Sequence, residues 1–218
     1  MAAETAAAES VSDGMVVGLG TGRTANYAIR KLASMASSGI SLICIPTSDA
    51  TSLLARKLGL TVSTMDEYPD ITVTIDGADE VDPSLNLIKG RGGALLREKI
   101  VASASKMEVI VADEAKIVKF LGMKEPLPVE IVRFGYRSTM ARLTALGCEP
   151  VLRAEGGKPF VTDSTNYIAD CRFGRIDDPA GLNAKINTIP GVVENGLFAG
   201  IASVVYVGGA NGVRIMRK

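Results

Sequence analysis

The chain reads as an α/β protein, a doubly wound parallel sheet joined to a smaller α+β unit. Three observations carry that expectation. Short apolar runs alternate with segments of helical period through the first half of the 218 residues. A glycine-rich turn, Gly18-Leu19-Gly20-Thr21-Gly22, separates the first strand from the first long helix. The pattern then changes near Glu125-Pro126-Leu127-Pro128, beyond which the order is strand-helix-strand-strand-helix-strand.

The elements follow from local chemistry. Residues 3–12 form a short helix stopped by Asp13-Gly14, and Met15–Leu19 is a buried strand. The helix from Thr24 to Ser37 places Ala25, Ile29 and Leu32 on one face. Ile40–Ile45 is a strand broken at Pro46, and Ser48 caps a helix that runs to Leu58 and ends at Gly59. Val62 begins a third strand, and the β-branched run Ile71–Ile75 is a fourth. Ala94–Ala104 is helical, Val109–Ala112 is a strand, and Ala115–Leu121 reads as a short helix. In the second part, Val129–Val132 is a strand and Ser138–Leu146 a helix. Val151–Ala154 and Phe160–Ile168 flank Glu155-Gly156-Gly157, followed by a helix at Pro179–Ile189 and a strand at Ile201–Val207.

Composition narrows the chemistry. The chain has no histidine, which excludes a Ser-His-Asp triad, a histidine-ligated metal and a histidine general base. It has no tryptophan and 5% aromatic residues, too few for a stacking platform. Basic and acidic residues balance at 24 each, so net charge implies no nucleic-acid partner and no anionic membrane surface. Cys44, Cys148 and Cys171 are an odd, irregularly spaced set that reads as buried free thiols. Met1–Ser10 lacks the marks of a signal peptide, and no apolar run reaches the ~18 residues of a membrane span. A cytoplasmic location is the expectation.

Three segments could carry chemistry. Gly18–Thr24 lies between a strand and a helix, where backbone amides can approach an anion. Arg23 stands where a dinucleotide fingerprint requires glycine, and Thr21, Arg23 and Thr24 suit a terminal phosphate instead. A plain tight turn is the competing reading. Asp76-Gly77-Ala78-Asp79-Glu80 ends a strand and could direct two carboxylates to one small polyol, although a capped turn or an oxygen-ligand metal site would use the same residues. Lys89-Gly90-Arg91-Gly92-Gly93 opens into a helix in which Glu98 has Ala94, Leu95, Val101 and Ala102 as its neighbours. A carboxylate on such a face is partly desolvated and becomes a stronger base. Arg97 and Lys99 have similar neighbours, so a salt-bridged helix face is equally open.

Taken together these segments resemble the type A ribose-5-phosphate isomerases, over essentially the whole chain. The resemblance rests on Gly20–Ala25, Thr47-Ser48, Asp76–Glu80, Ile88–Lys99, Ala112–Lys116, Pro128-Val129-Glu130 and Gly191–Phe198. It implies the reversible conversion of D-ribose 5-phosphate to D-ribulose 5-phosphate in the pentose phosphate pathway, without metal or cofactor. It implies Glu98 as the general base of a cis-enediolate mechanism and Lys89 as the group that stabilises the oxyanion. Asp76 and Asp79 would handle sugar hydroxyls and ring opening. The phosphosugar would be bound by Thr21, Gly22, Arg23 and Thr24, by Asp76, Gly77, Ala78 and Asp79, by Lys89, Gly90, Arg91 and Gly92, and by Lys116.

The implied fold is a Rossmann-like domain, 1–125 plus 201–218, with a small ferredoxin-like α+β domain, 126–200, inserted before the C-terminal strands. The implied assembly is a homodimer or homotetramer. Two positions depart from the family pattern: Arg23 stands where Ser or Thr is common, and Arg91 where glycine is frequent. The N-terminal helix also lacks a lysine that family members often carry near the phosphate. Two other readings fit parts of the pattern: a coenzyme A transferase-like enzyme with a glutamate nucleophile, and a non-catalytic sugar-phosphate sensor. The sensor reading lacks the extra length and basic patch of a DNA-binding module.

Overall fold

The computed structural model describes residues 1–217. In chain order the first elements are α1 (Ala2–Ser10), β1 (Val16–Leu19), α2 (Arg23–Ser37), β2 (Ile43–Pro46), α3 (Asp49–Lys57) and β3 (Thr61–Val62). Next come β4 (Val73–Gly77), β5 (Glu80–Val81), β6 (Leu87–Ile88), α4 (Leu95–Ser103) and β7 (Glu108–Asp113). Then follow β8 (Leu127–Ile131), α5 (Tyr136–Thr144), β9 (Glu149–Leu152), β10 (Ala154–Glu155), β11 (Lys158–Pro159) and β12 (Tyr167–Arg172). The last are α6 (Pro179–Asn187), β13 (Val192–Asn195), β14 (Leu197–Phe198), β15 (Val204–Gly209) and β16 (Gly212–Arg217).

The chain divides into two compact units. The first comprises Met1–Ala78, Arg97–Lys116 and the segment from Ile201 onward. Its sheet runs in the order β16-β15-β7-β4-β1-β2-β3, parallel except for the antiparallel edge strand β16. Alternation along each strand feeds two cores. Val17, Leu19, Cys44, Val73 and Ile75 join one cluster with α1 and α2, whereas Val16, Ile43 and Ile45 face Val101 of α4 in another. Helices thus cover both faces, as a doubly wound parallel sheet requires. The alanines of α1 (Ala2, Ala3, Ala6, Ala7) are buried, and Tyr206 donates to Glu9 at 2.9 Å to tie that helix to β15. The expected helix α3 is present with its predicted cap, Ser48 Oγ accepting from Thr51 N at 3.1 Å.

The second unit comprises Asp79–Leu96 and Ile117–Gly200. Its four-stranded sheet has the order β13-β8-β12-β9, all antiparallel, with α5 and α6 as the crossovers of a ferredoxin-like arrangement. A smaller sheet, β14-β6-β5, belongs to the same unit. These bounds differ from 126–200 because two segments that precede β8, Asp79–Leu96 and Ile117–Glu125, are hydrogen-bonded to each other within this unit. Glu80 is fully buried and accepts the amides of Gly122, Lys124 and Glu125 at 2.6, 2.6 and 2.9 Å. Val118 N donates to the Val81 carbonyl at 2.9 Å.

Two local expectations are corrected. Ala115–Leu121 is not a helix. A single 3-10 turn at Glu114–Lys116 gives way to an irregular, bent segment, in which Ile117 and Leu121 form bridges with Val81 and Ile176. The segment Phe160–Ile168 is a loop up to Tyr167, where β12 begins. The strand that closes the α+β unit is β13, which the pattern of apolar runs did not reveal, and Ile201–Val207 is β15 in the seven-stranded sheet, in the unit to which 201–218 was assigned.

Candidate active site

In the first unit the strand order reverses at β1, which has β2 on one side and β4 on the other. Ligands of open α/β sheets bind at the carboxyl end of such a switch point. Two sequence motifs end there. The turn after β1 packs directly on β4: a Cβ at Gly20 would come within 2.6 Å of the Asp76 Cα, so no larger residue fits. Gly22, at φ +118°, adopts a backbone conformation that side chains rarely take, and it is the N-cap of α2. The first amides of α2 lack intrahelical partners and form a ready site for an anion.

Hydroxyls surround this turn. Thr21 Oγ1 lies 2.8 Å from Thr47 Oγ1 and donates to Ser48 Oγ at 2.8 Å. Ser48 donates to Thr51 Oγ1 at 3.0 Å, which in turn donates to the Gly20 carbonyl at 3.1 Å. The α2 and α3 N-termini are therefore linked through side-chain oxygens. Of the expected phosphate ligands, Thr21 and Thr24 are half-buried, whereas Gly22 and Arg23 are exposed.

Asp76 lies within β4, one residue before its end, and is 1% exposed. Its Oδ1 accepts from Thr21 N at 3.1 Å and from Gly77 N at 2.7 Å, which couples this carboxylate to the glycine turn. Gly77 and Ala78 are half-buried. Glu98, in the first turn of α4, is 3% exposed. The structure separates it from Arg97, which is partly exposed and pairs with Asp49 at 2.7 Å. Lys99 is buried as well. Lys116 is half-buried at the end of the 3-10 turn that follows β7.

The remaining expected residues belong to the second unit. Lys89 is 2% exposed, its Nζ 5.3 Å from the centre of the Phe198 ring. Its backbone N–H donates to the Gly196 carbonyl at 2.9 Å. Gly90, at φ +108°, turns the chain so tightly that a Cβ there would meet Leu95 at 2.8 Å. Asp79 N donates to the Ile88 carbonyl at 2.8 Å, and Asp79 Oδ2 accepts from Arg91 N at 2.9 Å. The Arg91 guanidinium is exposed and pairs with Glu125 at 3.1 Å. Gly92 is exposed. The Glu80 carboxylate of the D-G-A-D-E segment is spent on three backbone amides.

Sequence reasoning gave Phe198 no role of its own and missed Thr51. Thr51 carried a signal, since it lies three residues after the Ser48 cap and so faces the same end of α3.

Asp76, Glu98 and Lys89 are thus all 1–3% exposed. A switch point with the buried Asp76 beside a hydroxyl-lined glycine turn marks an α/β enzyme of the open-sheet class rather than a dinucleotide-binding protein. Residues 43–212 match the model of the ribose 5-phosphate isomerase A (phosphoriboisomerase A) family. The ribose-5-phosphate isomerase A of Synechococcus sp. (strain JA-3-3Ab) is 49% identical over 220 residues, covering 100% of this chain and 96% of that protein. The solved ribose 5-phosphate isomerase A of Methanocaldococcus jannaschii superposes with a TM-score of 0.94 at 42% identity, covering 100% of this chain and 96% of that one. A D-ribose-5-phosphate isomerase in complex with phospho-erythronic acid superposes with a TM-score of 0.95 at 40% identity, covering 100% and 98%. The chain belongs to the ribose 5-phosphate isomerase A family.

Proposed function

We propose that this chain interconverts D-ribose 5-phosphate and D-ribulose 5-phosphate through a cis-enediolate, with Glu98 as the base and Lys89 at the oxyanion. The reaction is the one for which its family is named, and the chain is an aldose–ketose isomerase. The Glu98 carboxylate takes the C2 proton of the open-chain aldose. The C–H electron pair forms the C1=C2 bond, and the carbonyl pair moves onto O1, where the Lys89 ammonium stabilises the charge. Glu98 then returns the proton to C1 as the O2 hydroxyl proton passes to O1, leaving the ketose. Asp76 and Asp79 hold sugar hydroxyls and assist ring opening.

The phosphate sits at the amides and hydroxyls of Thr21–Thr24, with Lys116 as a further cation. Gly77, Ala78 and Gly90–Gly92 line the sugar. The observation that carries this reading is the burial of Glu98 to 3% exposure in a helix whose neighbouring Val101 and Ala102 are equally buried. That environment favours a carboxylate able to accept a carbon-bound proton.

We further infer a cytoplasmic homodimer or homotetramer, as the family resemblance implies; sedimentation at micromolar concentration, where a lone 218-residue species would count against it, tests the assembly. Among the described residues no helix is long and apolar enough to cross a membrane. The activity is tested by incubating purified protein with ribose 5-phosphate and a chelator while following ketose formation. Ketose at an undiminished rate is expected. A rate that collapses in chelator, or no ketose at all, contradicts the reading.

A further inference from the structure

We propose that Arg153 is a positioning residue for the Lys89 loop, a role that rests on the assignment of Lys89 to the oxyanion. Arg153 directly follows β9 in the second unit. Its Nε and Nη2 donate to Asp170 Oδ2 and Oδ1 at 2.9 and 2.5 Å, a two-point grip that fixes the plane of the guanidinium. Asp170 is itself fixed, because it lies in β12 opposite Val151 on one side and Pro128 on the other.

With the fork so held, Nη1 is aimed at the loop. It donates to the Gly90 carbonyl at 2.9 Å and to the Arg91 carbonyl at 3.1 Å. The two side chains of the ion pair are only 15% and 23% exposed, so water competes weakly for these bonds. The Arg153 guanidinium also lies 5.8 Å from the centre of the Phe160 ring, and a Cβ at Gly93 would meet that ring at 2.5 Å. The Arg91 backbone is thereby gripped at both ends: its N–H by Asp79 at 2.9 Å and its carbonyl by Arg153 at 3.1 Å. Asp79, Arg91, Arg153 and Asp170 line one cavity of about 190 Å³.

Such a clamp has a purpose in this loop. Lys89 is followed by Gly90, Gly92 and Gly93, and glycines give a chain more conformations to lose than any other residue. Without external donors to its carbonyls, the segment would spread the Lys89 backbone over several positions. A misplacement of about 1 Å at a reacting centre can cost about 10²-fold in rate. Lysine cannot replace Arg153, because a single ammonium lacks the planar fork that grips a carboxylate and a carbonyl pair together.

The test compares Arg153→Met, Arg153→Lys and Asp170→Asn, measuring kcat, KM and the thermal midpoint with ribose 5-phosphate. Arg153→Met and Arg153→Lys are both expected to lower kcat by about 10–100-fold with KM within about threefold, so the charge-conserving variant gives no rescue. Asp170→Asn, which loosens the grip, is expected to fall between them and the unmodified enzyme. In a Lys89→Met background, itself down by about 10²–10³-fold, Arg153→Lys is expected to change kcat by less than about twofold. A lowered thermal midpoint with unchanged kcat would mark Arg153 as structural only and overturn the proposal. So would a loss that multiplies in full on the Lys89→Met background. Should Lys89→Met alone leave kcat intact, the Lys89 assignment fails and the positioning role falls with it. A depressed Lys89→Met beside a fully active Arg153→Lys overturns the positioning role alone.

Discussion

Gly196→Ala is a small change with a calculable effect on the oxyanion group. Gly196 lies between β13 and β14, and its Cα faces the Lys89 peptide. A Cβ added there would stand 2.2 Å from the Lys89 carbonyl oxygen, whereas real Cβ atoms essentially never come closer than 3.0 Å. The two chains must therefore separate by about 0.8 Å, the difference between those distances. Gly196 cannot easily retreat, since its N–H donates to the Pro128 carbonyl at 2.8 Å and its carbonyl accepts from Lys89 N at 2.9 Å. Lys89 takes up the shift. A displacement near 1 Å at a catalytic group costs up to about 10²-fold, so kcat should fall by some tens of fold.

Stability should fall less. Overpacking costs about 1–3 kcal/mol, and alanine returns about 0.4–1 kcal/mol by restricting the unfolded chain. Kinetics with ribose 5-phosphate and urea unfolding read the two effects separately. Gly156→Ala is the control, because Gly156 sits at φ +57° with nothing within 4 Å of the added carbon. It should lose about 1–2 kcal/mol of stability at unchanged kcat. A Gly196→Ala enzyme with wild-type kcat would rule out this coupling of Gly196 to Lys89.

Other expectations follow from the same distances. Thr21→Val removes the hydroxyl that joins Thr47 and Ser48 and should raise KM about tenfold with kcat within about threefold, read from initial rates; an unchanged KM would remove Thr21 from phosphate binding. Glu80→Gln turns one charge-assisted acceptor into an NH2 facing backbone donors and should cost about 2–3 kcal/mol in urea unfolding, against which a loss below about 0.5 kcal/mol would argue. Burial pushes the Cys44 thiol from 9.0 up to about 12. The folded chain then keeps a proton that the unfolded chain releases above pH 9.0, so this contribution to stability is intact below that pH and is lost on the way to about 12. The slope from one such group is about 1.4 kcal/mol per pH unit, and Cys44→Ala should flatten the alkaline limb of the stability curve by that amount. Parallel limbs would contradict the assignment.

Most of the fold was legible because the signals that define it are local. The buried strands β1, β2, β4 and β7 are β-branched runs, and α2 and α3 carry clear periodicity with a glycine or serine at the entry. Boundaries drifted by about two residues where strands flow into turns, a normal range for pattern reading. The small sheet β5-β6-β14 left no trace, since a two-residue strand is too short for alternation to register. The same blindness hid the allegiance of Asp79–Leu96, which is decided by partners more than 30 residues away: Glu80 with the 122–125 amides, and Lys89 with Gly196. The candidate site was legible where motif residues are neighbours in sequence, as at Gly18–Thr24 and Asp76–Glu80. Periodicity could not choose among Arg97, Glu98 and Lys99, because burial depends on the sheet that α4 packs against. Arg153 and Asp170 were invisible, being 62 and more residues from the Arg91 carbonyl they steady.

On the proposed mechanism Glu98 moves the proton. That role is tested most directly by the turnover number of Glu98→Gln with ribose 5-phosphate, in a preparation whose thermal unfolding matches the unmodified enzyme. Removal of a positioned base costs about 10²–10⁴-fold, so kcat should fall by at least about 10²-fold. A folded Glu98→Gln protein that turns over within about tenfold of the unmodified enzyme would contradict that role.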